Sequence, residues 1–244
     1  MTFCVGIRVE SGLIALADTQ IVRGSERSSK AKLSVHDYLG RSVLIMTSGL
    51  RSVRDKAVIY FEESWSEEDE PSRRLHQLAS CFGRALRRVR REDGDALASA
   101  NLSFNSHAII GGRLADDPSP VLFYVYPEGN WIEAGPDAPY FMIGRTTYGR
   151  PILDRLLDFS SSLERALALA YLAFDATRTS VTDVDFPVDV ALQSRESDRL
   201  LRRRFTEPKM EPVGAWWQGR LSEALEDFPM DWAKNLLNDS VKAP

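Results

Sequence analysis

The chain has 244 residues, 43% of them hydrophobic, enough to bury a sizeable core in one large domain or two small ones. Its 31 basic and 35 acidic residues leave a formal charge of -4, so no overall field draws it to nucleic acid or to a lipid surface. Two isolated cysteines, Cys4 and Cys81, no secretory leader and no apolar run near the ~18 residues of a bilayer span argue against a disulfide scaffold, a zinc site, export and membrane insertion, and point to the cytoplasm.

The chain opens MTFCVGIRVESGLIALADTQ. Phe3, Val5, Ile7 and Val9 alternate with Thr2, Cys4, Gly6 and Arg8, the period-2 pattern of a half-buried strand. Glu10-Ser11-Gly12 then turns the chain into a second strand over 13–17. A polar loop covers 23–30, and residues 31–36 and 42–47 form another hairpin around Asp37-Tyr38-Leu39-Gly40. Leu50, Val53, Ala57 and Phe61 recur at helical spacing; Ser72 caps a second helix with Leu75, Leu78, Phe82, Leu86 and Val89 on one stripe.

Strands resume over 105–112 and 121–126, followed by a turn at Glu128-Gly129-Asn130 and short apolar pieces at 131–134 and 140–143. Helical spacing returns at 147–158, and Ser161-Ser162-Leu163-Glu164 offers a capping box ahead of Leu167, Tyr171 and Phe174. Strands at 188–192 and 200–205 precede a C-terminal amphipathic helix marked by Trp217, Leu221, Leu225 and Phe228. The order is strands, helices, strands, helices, strands, with hairpins and no βαβ alternation. It predicts an α+β fold: a four-layer αββα sandwich of two antiparallel sheets flanked by helices, the first four strands forming one sheet and the later strands the other. The whole of 1–244 reads as one domain with a helical extension around 213–237; the polar stretch at 66–71 is a loop.

Familiar catalytic signatures are missing: there is no GxSxG, HExxH, GxxxxGK[ST] or GxGxxG. His36, His76 and His107 each lie in a stretch read as strand or helix, where packing is the ordinary role, so a serine–histidine–aspartate hydrolase is poorly supported. What remains is Thr2, Asp18, Lys32 and the Thr47-Ser48-Gly49 turn. With Met1 removed, Thr2 carries a hydroxyl nucleophile and a free α-amine on one residue, and such an amine titrates near pH ~8, close enough to neutrality to serve as base. Lys32, in a third strand beside the first, is placed to disfavour a second positive charge on that amine, with Asp18 at the end of strand two to fix it. Gly49, opening a helix after strand four, has a backbone N–H free to meet a developing oxyanion, so its loss should be felt in rate and not in folding.

Taken singly, each of these is ordinary: threonine at position 2, a charge at a strand end, a Ser-Gly cap. Their joint placement on four consecutive strands is less so. Among the remaining features, Arg84, Arg87, Arg88, Arg90 and Arg91 fall on the outer face of the second helix and read as a solvated or subunit-facing surface. Cys4 points to the same side as Thr2, with packing the simpler role, and Trp216, Trp217 and Trp232 read as anchors to the core or to a neighbouring subunit.

TFCVG, ALAD, AKL and LIMTSG resemble the start of proteasome β-type subunits, which are N-terminal-nucleophile (Ntn) hydrolases. IGRTTYGRPILDR and AFDATRTSVTDVDFPVDVAL are similar to the bacterial proteasome homologue Anbu, the ancestral β subunit, and the match runs through nearly all of 1–237. The resemblance implies a threonine-type endopeptidase subunit that needs no cofactor or metal, with Thr2 as nucleophile, Asp18 and Lys32 as its acid and lysine, and Gly49 as the oxyanion glycine. It adds Asp175 behind the nucleophile, with Ser180 as its partner serine. It also implies a homo-oligomeric ring or open helical ring acting on peptides or unfolded proteins, with or without an unfolding ATPase.

Three departures stand out. Arg145 occupies a position where proteasome β subunits carry serine, the loop ahead of Lys32 is shorter, and Met1 alone precedes the threonine, so methionine aminopeptidase would have to expose it. Two other readings stay open: an amidohydrolase acting on small amides, and a catalytically silent structural subunit.

Overall fold

Phe3 and Phe174 meet edge to face, ring centroids 5.9 Å apart, and this contact fixes the first strand against a helix that lies 160 or more residues later in the sequence. The computed structural model that shows it describes residues 2–23, 26–66, 71–234 and 236. Strands β1 (Phe3–Val9) and β2 (Gly12–Asp18) form a hairpin, as their alternation requires. Beside them run β10 (Tyr140–Gly144), β11 (Val188–Ser194) and β12 (Leu201–Phe205), giving an antiparallel sheet in the order β10-β1-β2-β11-β12. The second sheet, also antiparallel, runs β5 (Leu33–Tyr38), β6 (Arg41–Ser48), β7 (His107–Gly112), β8 (Val121–Val125) and β9 (Trp131–Glu133).

The first four expected strands therefore do not share a sheet. The opening hairpin takes late partners, Phe3 opposite Gly144 and Asp18 opposite Val188. A period of two identifies a strand and its two faces but says nothing about which distant strand lies alongside. The polar stretch read as a loop is a separate ribbon, β3 (Gln20–Arg23) paired with β4 (Glu26–Ser29).

Helices α1 (Arg51–Ser66) and α2 (Leu75–Ser99) cover the second sheet, where Phe61, Leu78, Phe82 and Leu86 bury against Val43, Ile45, Ile110 and Phe123. Helices α3 (Arg150–Leu156) and α4 (Leu163–Arg178) pack together, and α4 lies on β1 and β2. Between the sheets, Cys4, Leu13, Ala15, Leu44, Met46, Ile109 and Leu122 form a dry layer. The result is the four-layer αββα sandwich. Strand β1 is accordingly buried on both faces, not one, because helix and facing sheet each cover a side.

Two caps differ from expectation. Gln77 Oε1 accepts from the amides of Arg73 (2.8 Å) and Arg74 (2.9 Å) ahead of α2, while Ser72 donates its amide to the Tyr38 hydroxyl. Ser162, one residue beyond the expected start, caps α4 by accepting from Arg165 N at 3.2 Å. The five arginines of the α2 run are exposed, as expected of an outer face, and three of them also make contacts within the fold: Arg88 stacks over Tyr60 and pairs with Glu92, Arg90 lies over Phe104, and Arg87 donates to the Gly129 carbonyl.

Met1–Thr206 forms one compact unit and Glu207–Pro244 a second. Helix α5 (Glu207–Glu226) begins ahead of the expected 213 and contains Pro212; the expected end of the extension, 237, lies outside the described residues. None of its residues is buried and Trp216 and Trp232 are exposed, so these tryptophans are not core residues. Among the described residues no helix is long and apolar enough to cross a membrane.

Candidate active site

The alternation that makes β1 a strand leaves Thr2 immediately ahead of it, nearly enclosed at 9% exposure. The next residue is tied down: Phe3 N donates to Asp18 Oδ1 at 2.7 Å. The same carboxylate accepts from Gln20 N at 3.1 Å, and Lys32 Nζ donates to both of its oxygens at 2.7 Å. Asp18 therefore clamps the start of β1, the end of β2 and the lysine with one group. The pair is out of water, with side-chain exposures of 0% for Asp18 and 2% for Lys32. Burial pushes the Asp18 carboxyl up from its ordinary value, against the opposing pull of the Lys32 ammonium and of the Phe3 and Gln20 amides.

Lys32 does not sit in a strand beside β1. It stands one residue ahead of β5, at the entrance to the facing sheet, where its carbonyl accepts from Thr47 N at 3.2 Å. The lysine thus reaches the Asp18 carboxylate across the gap between the sheets instead of along one sheet.

Gly49 follows β6 with φ +104, and a side chain there would press on Asn105 O (2.7 Å) and Ser106 Cα (2.8 Å). The glycine is needed for the backbone path itself, so the expectation that its loss spares folding is corrected. On the other side of Thr2, its carbonyl accepts from Arg145 N at 2.7 Å, and Gly144, at φ +90, lies so close that a Cβ would overlap that carbonyl. The Arg145 guanidinium turns to Asp183, with Nη2 to Oδ2 at 3.0 Å. At the position of the serine found in β subunits, this chain thus supplies a backbone donor to Thr2 and a side-chain tie to the segment after α4.

Thr2, Lys32, Ser48 and Gly49 line one cavity of about 840 Å³. Asp175 and Ser180 are not in its wall: Asp175 pairs with Arg178 one turn along α4, and the Ser180 hydroxyl donates back to Ala176 O at 2.8 Å. Burial raises the Asp175 carboxyl, opposed by Arg178. Cys4, fully buried, has its thiol pushed far up by burial and by Asp18, which leaves it unreactive packing. His107 is at the cavity rim, its Nδ1 2.9 Å from the Tyr124 hydroxyl, and burial lowers its pKa, which favours the neutral ring. Sequence reasoning passed over Arg54 and Arg150 in the same wall; their helical context was legible, but which helix end opens on Thr2 depends on sheet pairing. Among the described residues no group of three or more His, Cys, Asp or Glu side chains gathers to hold a metal ion.

No protein-family model matches the sequence, and no curated protein matches it. Solved structures do. An Anbu (Gly-1) mutant from Hyphomicrobium sp. strain MC1 aligns at a TM-score of 0.84 and 29% identity, over 93% of this chain and 99% of its own. Anbu (ancestral beta-subunit) from Yersinia bercovieri aligns at 0.84 and 26%, over 93% and 98%. The Anbu complex from Pseudomonas aeruginosa, solved as a helical assembly, aligns at 0.86 and 27%, over 93% and 97%.

The solved structures that the chain resembles over 93% of its length are Anbu proteins. Both sheets and the helices on each face are shared with these Anbu structures, and the ends of β1, β6 and β10 that meet at Thr2 lie within the shared fold.

Proposed function

We propose that this chain is an Anbu-type threonine endopeptidase subunit of a self-assembling, proteasome-like cytoplasmic particle. Once Met1 is removed, the Thr2 hydroxyl attacks the substrate carbonyl and its own α-amine takes the proton. The Lys32 ammonium, held by Asp18, favours the neutral amine through like-charge repulsion. The Gly49 amide receives the oxyanion; as it collapses the C–N bond breaks and the α-ammonium gives its proton to the departing amine, and a water deprotonated by the same α-amine then hydrolyses the ester and frees Thr2. The reading is carried by the meeting of Thr2, Lys32 and Gly49 on one cavity, with the lysine immobilised by a buried carboxylate. Ring or open-ring assembly is proposed by analogy with the helical assembly of the Pseudomonas relative. Asp175 and Ser180 enter this scheme as supports behind the site, since neither lines the cavity.

Intact mass and electrophile labelling test it. The native protein should lack Met1 and take up one equivalent of an N-terminal-threonine-directed electrophile, and Thr2→Ala should keep fold and assembly but lose the adduct. Labelling that survives Thr2→Ala ends the proposal. A silent structural subunit is the second reading, favoured by Arg145 and its engagement with Asp183 where β subunits place a serine. Retained Met1 with no labelling supports it.

A further inference from the structure

Among the described residues, the wall of the Thr2 cavity contains four cationic side chains, Lys32, Arg51, Arg54 and Arg150, and no carboxylate. Lys32 is neutralised within the wall's backing by Asp18. The others are not matched one for one. Lys30, Arg51 and Arg54 all converge on the single carboxylate of Asp55: Lys30 Nζ lies 3.0 Å from Oδ2, Arg51 Nε 3.2 Å from Oδ2, and Arg54 Nη2 3.0 Å from Oδ1. Burial alone would raise the Asp55 carboxyl, but the donors from Lys30, Arg54 and Arg51 outweigh it and hold the group below its usual value. Asp55 is thus a full negative charge shared among three positive ones. Arg150, on the opposite rim at the start of α3, forms no ion pair among the described residues. The cavity consequently faces its occupant with an excess of positive charge at two places, and Arg54, with a side chain 10% exposed, is held rigidly by Asp55.

An excess of this kind next to a nucleophile selects by charge. A carboxylate entering the cavity gains charge-assisted hydrogen bonds from guanidinium groups already in place, whereas a lysine or arginine side chain meets uncompensated repulsion. From this arrangement we infer that the cavity takes peptides carrying an aspartate or glutamate beside the bond presented to Thr2. This specificity rests on the peptidase reading for its place in the reaction, but the binding preference is a property of the wall alone and can be measured without catalysis.

The test uses the full chain as Thr2→Ala and three short peptides, acetylated and C-terminally amidated, identical except for a final glutamate, leucine or lysine. Calorimetric titration should show the glutamate peptide binding roughly tenfold tighter than the leucine peptide, as expected for hydrogen bonds to a charged group. The lysine peptide should bind weakest. The gap should narrow as salt rises from about 0.05 M to about 0.5 M, because the rim arginines are exposed. Arg51→Gln combined with Arg150→Gln should bring the glutamate and leucine affinities together. Equal binding of the three peptides, or a lysine preference, overturns the inference, and so does a glutamate preference that the double substitution leaves intact. Electrophiles carrying the same three side chains, applied to the wild-type chain and read by intact mass, separate the two ideas. Labelling of Thr2 without glutamate preference leaves the peptidase reading standing and removes the specificity. Glutamate-selective binding with no labelling by any probe keeps the specificity and removes the peptidase.

Discussion

Gly144 and Thr2 are packed backbone to backbone: the glycine, at φ +90, leaves no room for a side chain against the threonine carbonyl, which is bound by the next amide, that of Arg145. Gly144→Ala should therefore move Thr2 as well as strain β10. The backbone conformation alone should cost about 1–3 kcal/mol, seen as a lower urea midpoint, and electrophile labelling of Thr2 should fall with it. Wild-type stability in this variant would mean that β10 can withdraw from the threonine without consequence.

Asp18 accepts four hydrogen bonds from three donors, so removing its cation should be worse than removing both partners. Lys32→Met leaves a buried carboxylate with only backbone donors and should destabilise the chain by about 3–5 kcal/mol. The double change Asp18→Asn with Lys32→Met should recover part of that loss. Chemical denaturation of the two single variants and the double one gives the coupling directly; additive losses would show that the pair is not energetically one unit.

Gly49→Ala is expected to lower both rate and stability, since the substituted side chain would meet Asn105 O and Ser106 Cα. Thermal unfolding followed beside Thr2 labelling distinguishes this from a purely catalytic effect. An unchanged midpoint with slower labelling would restore the view that the glycine serves chemistry alone.

Asp189, with no exposed surface, is gripped by Arg202 Nη2 (2.8 Å) and by Arg204 Nε and Nη2 (both 2.8 Å) from β12. Burial works to raise its pKa, but the two arginines prevail and hold the carboxyl below its ordinary 3.8. A depressed folded-state pKa means that its stabilisation is complete above the unfolded value and is lost as pH falls through the folded one. Asp189→Asn should therefore lower the urea midpoint at neutral pH and make progressively less difference below pH 3.8. A cost that stays constant down to the acid limit would assign it to packing instead of charge.

The grouping of Thr2, Asp18 and Lys32 was legible because each stands beside a short, strongly patterned strand, and because TFCVG, ALAD and LIMTSG resemble a known start. The layer order was legible from the alternation of hairpins and helices. Sheet membership was not. Phe3 pairs with Gly144 and Asp18 with Val188 through backbone hydrogen bonds that any residue can make, so no side-chain pattern announces them. The same limitation hid Arg54 and Arg150, whose meeting at the cavity depends on those pairings. The second strand of the ribbon, Glu26–Ser29, falls inside the loop expected over 23–30 because it is exposed and polar throughout and carries no alternation.

Strand β1 is flanked by β2, its neighbour in sequence, and by β10, which brings Gly144 and the amide of Arg145 to Thr2. The ribosome therefore releases the threonine first and its last contacts only after the midpoint of the message has been read. During that interval Thr2 lacks its β10 neighbours, Gly144 and the Arg145 amide. On the peptidase reading proposed above, strand order alone would thus hold back completion of the Thr2 surroundings until β10 has been synthesised.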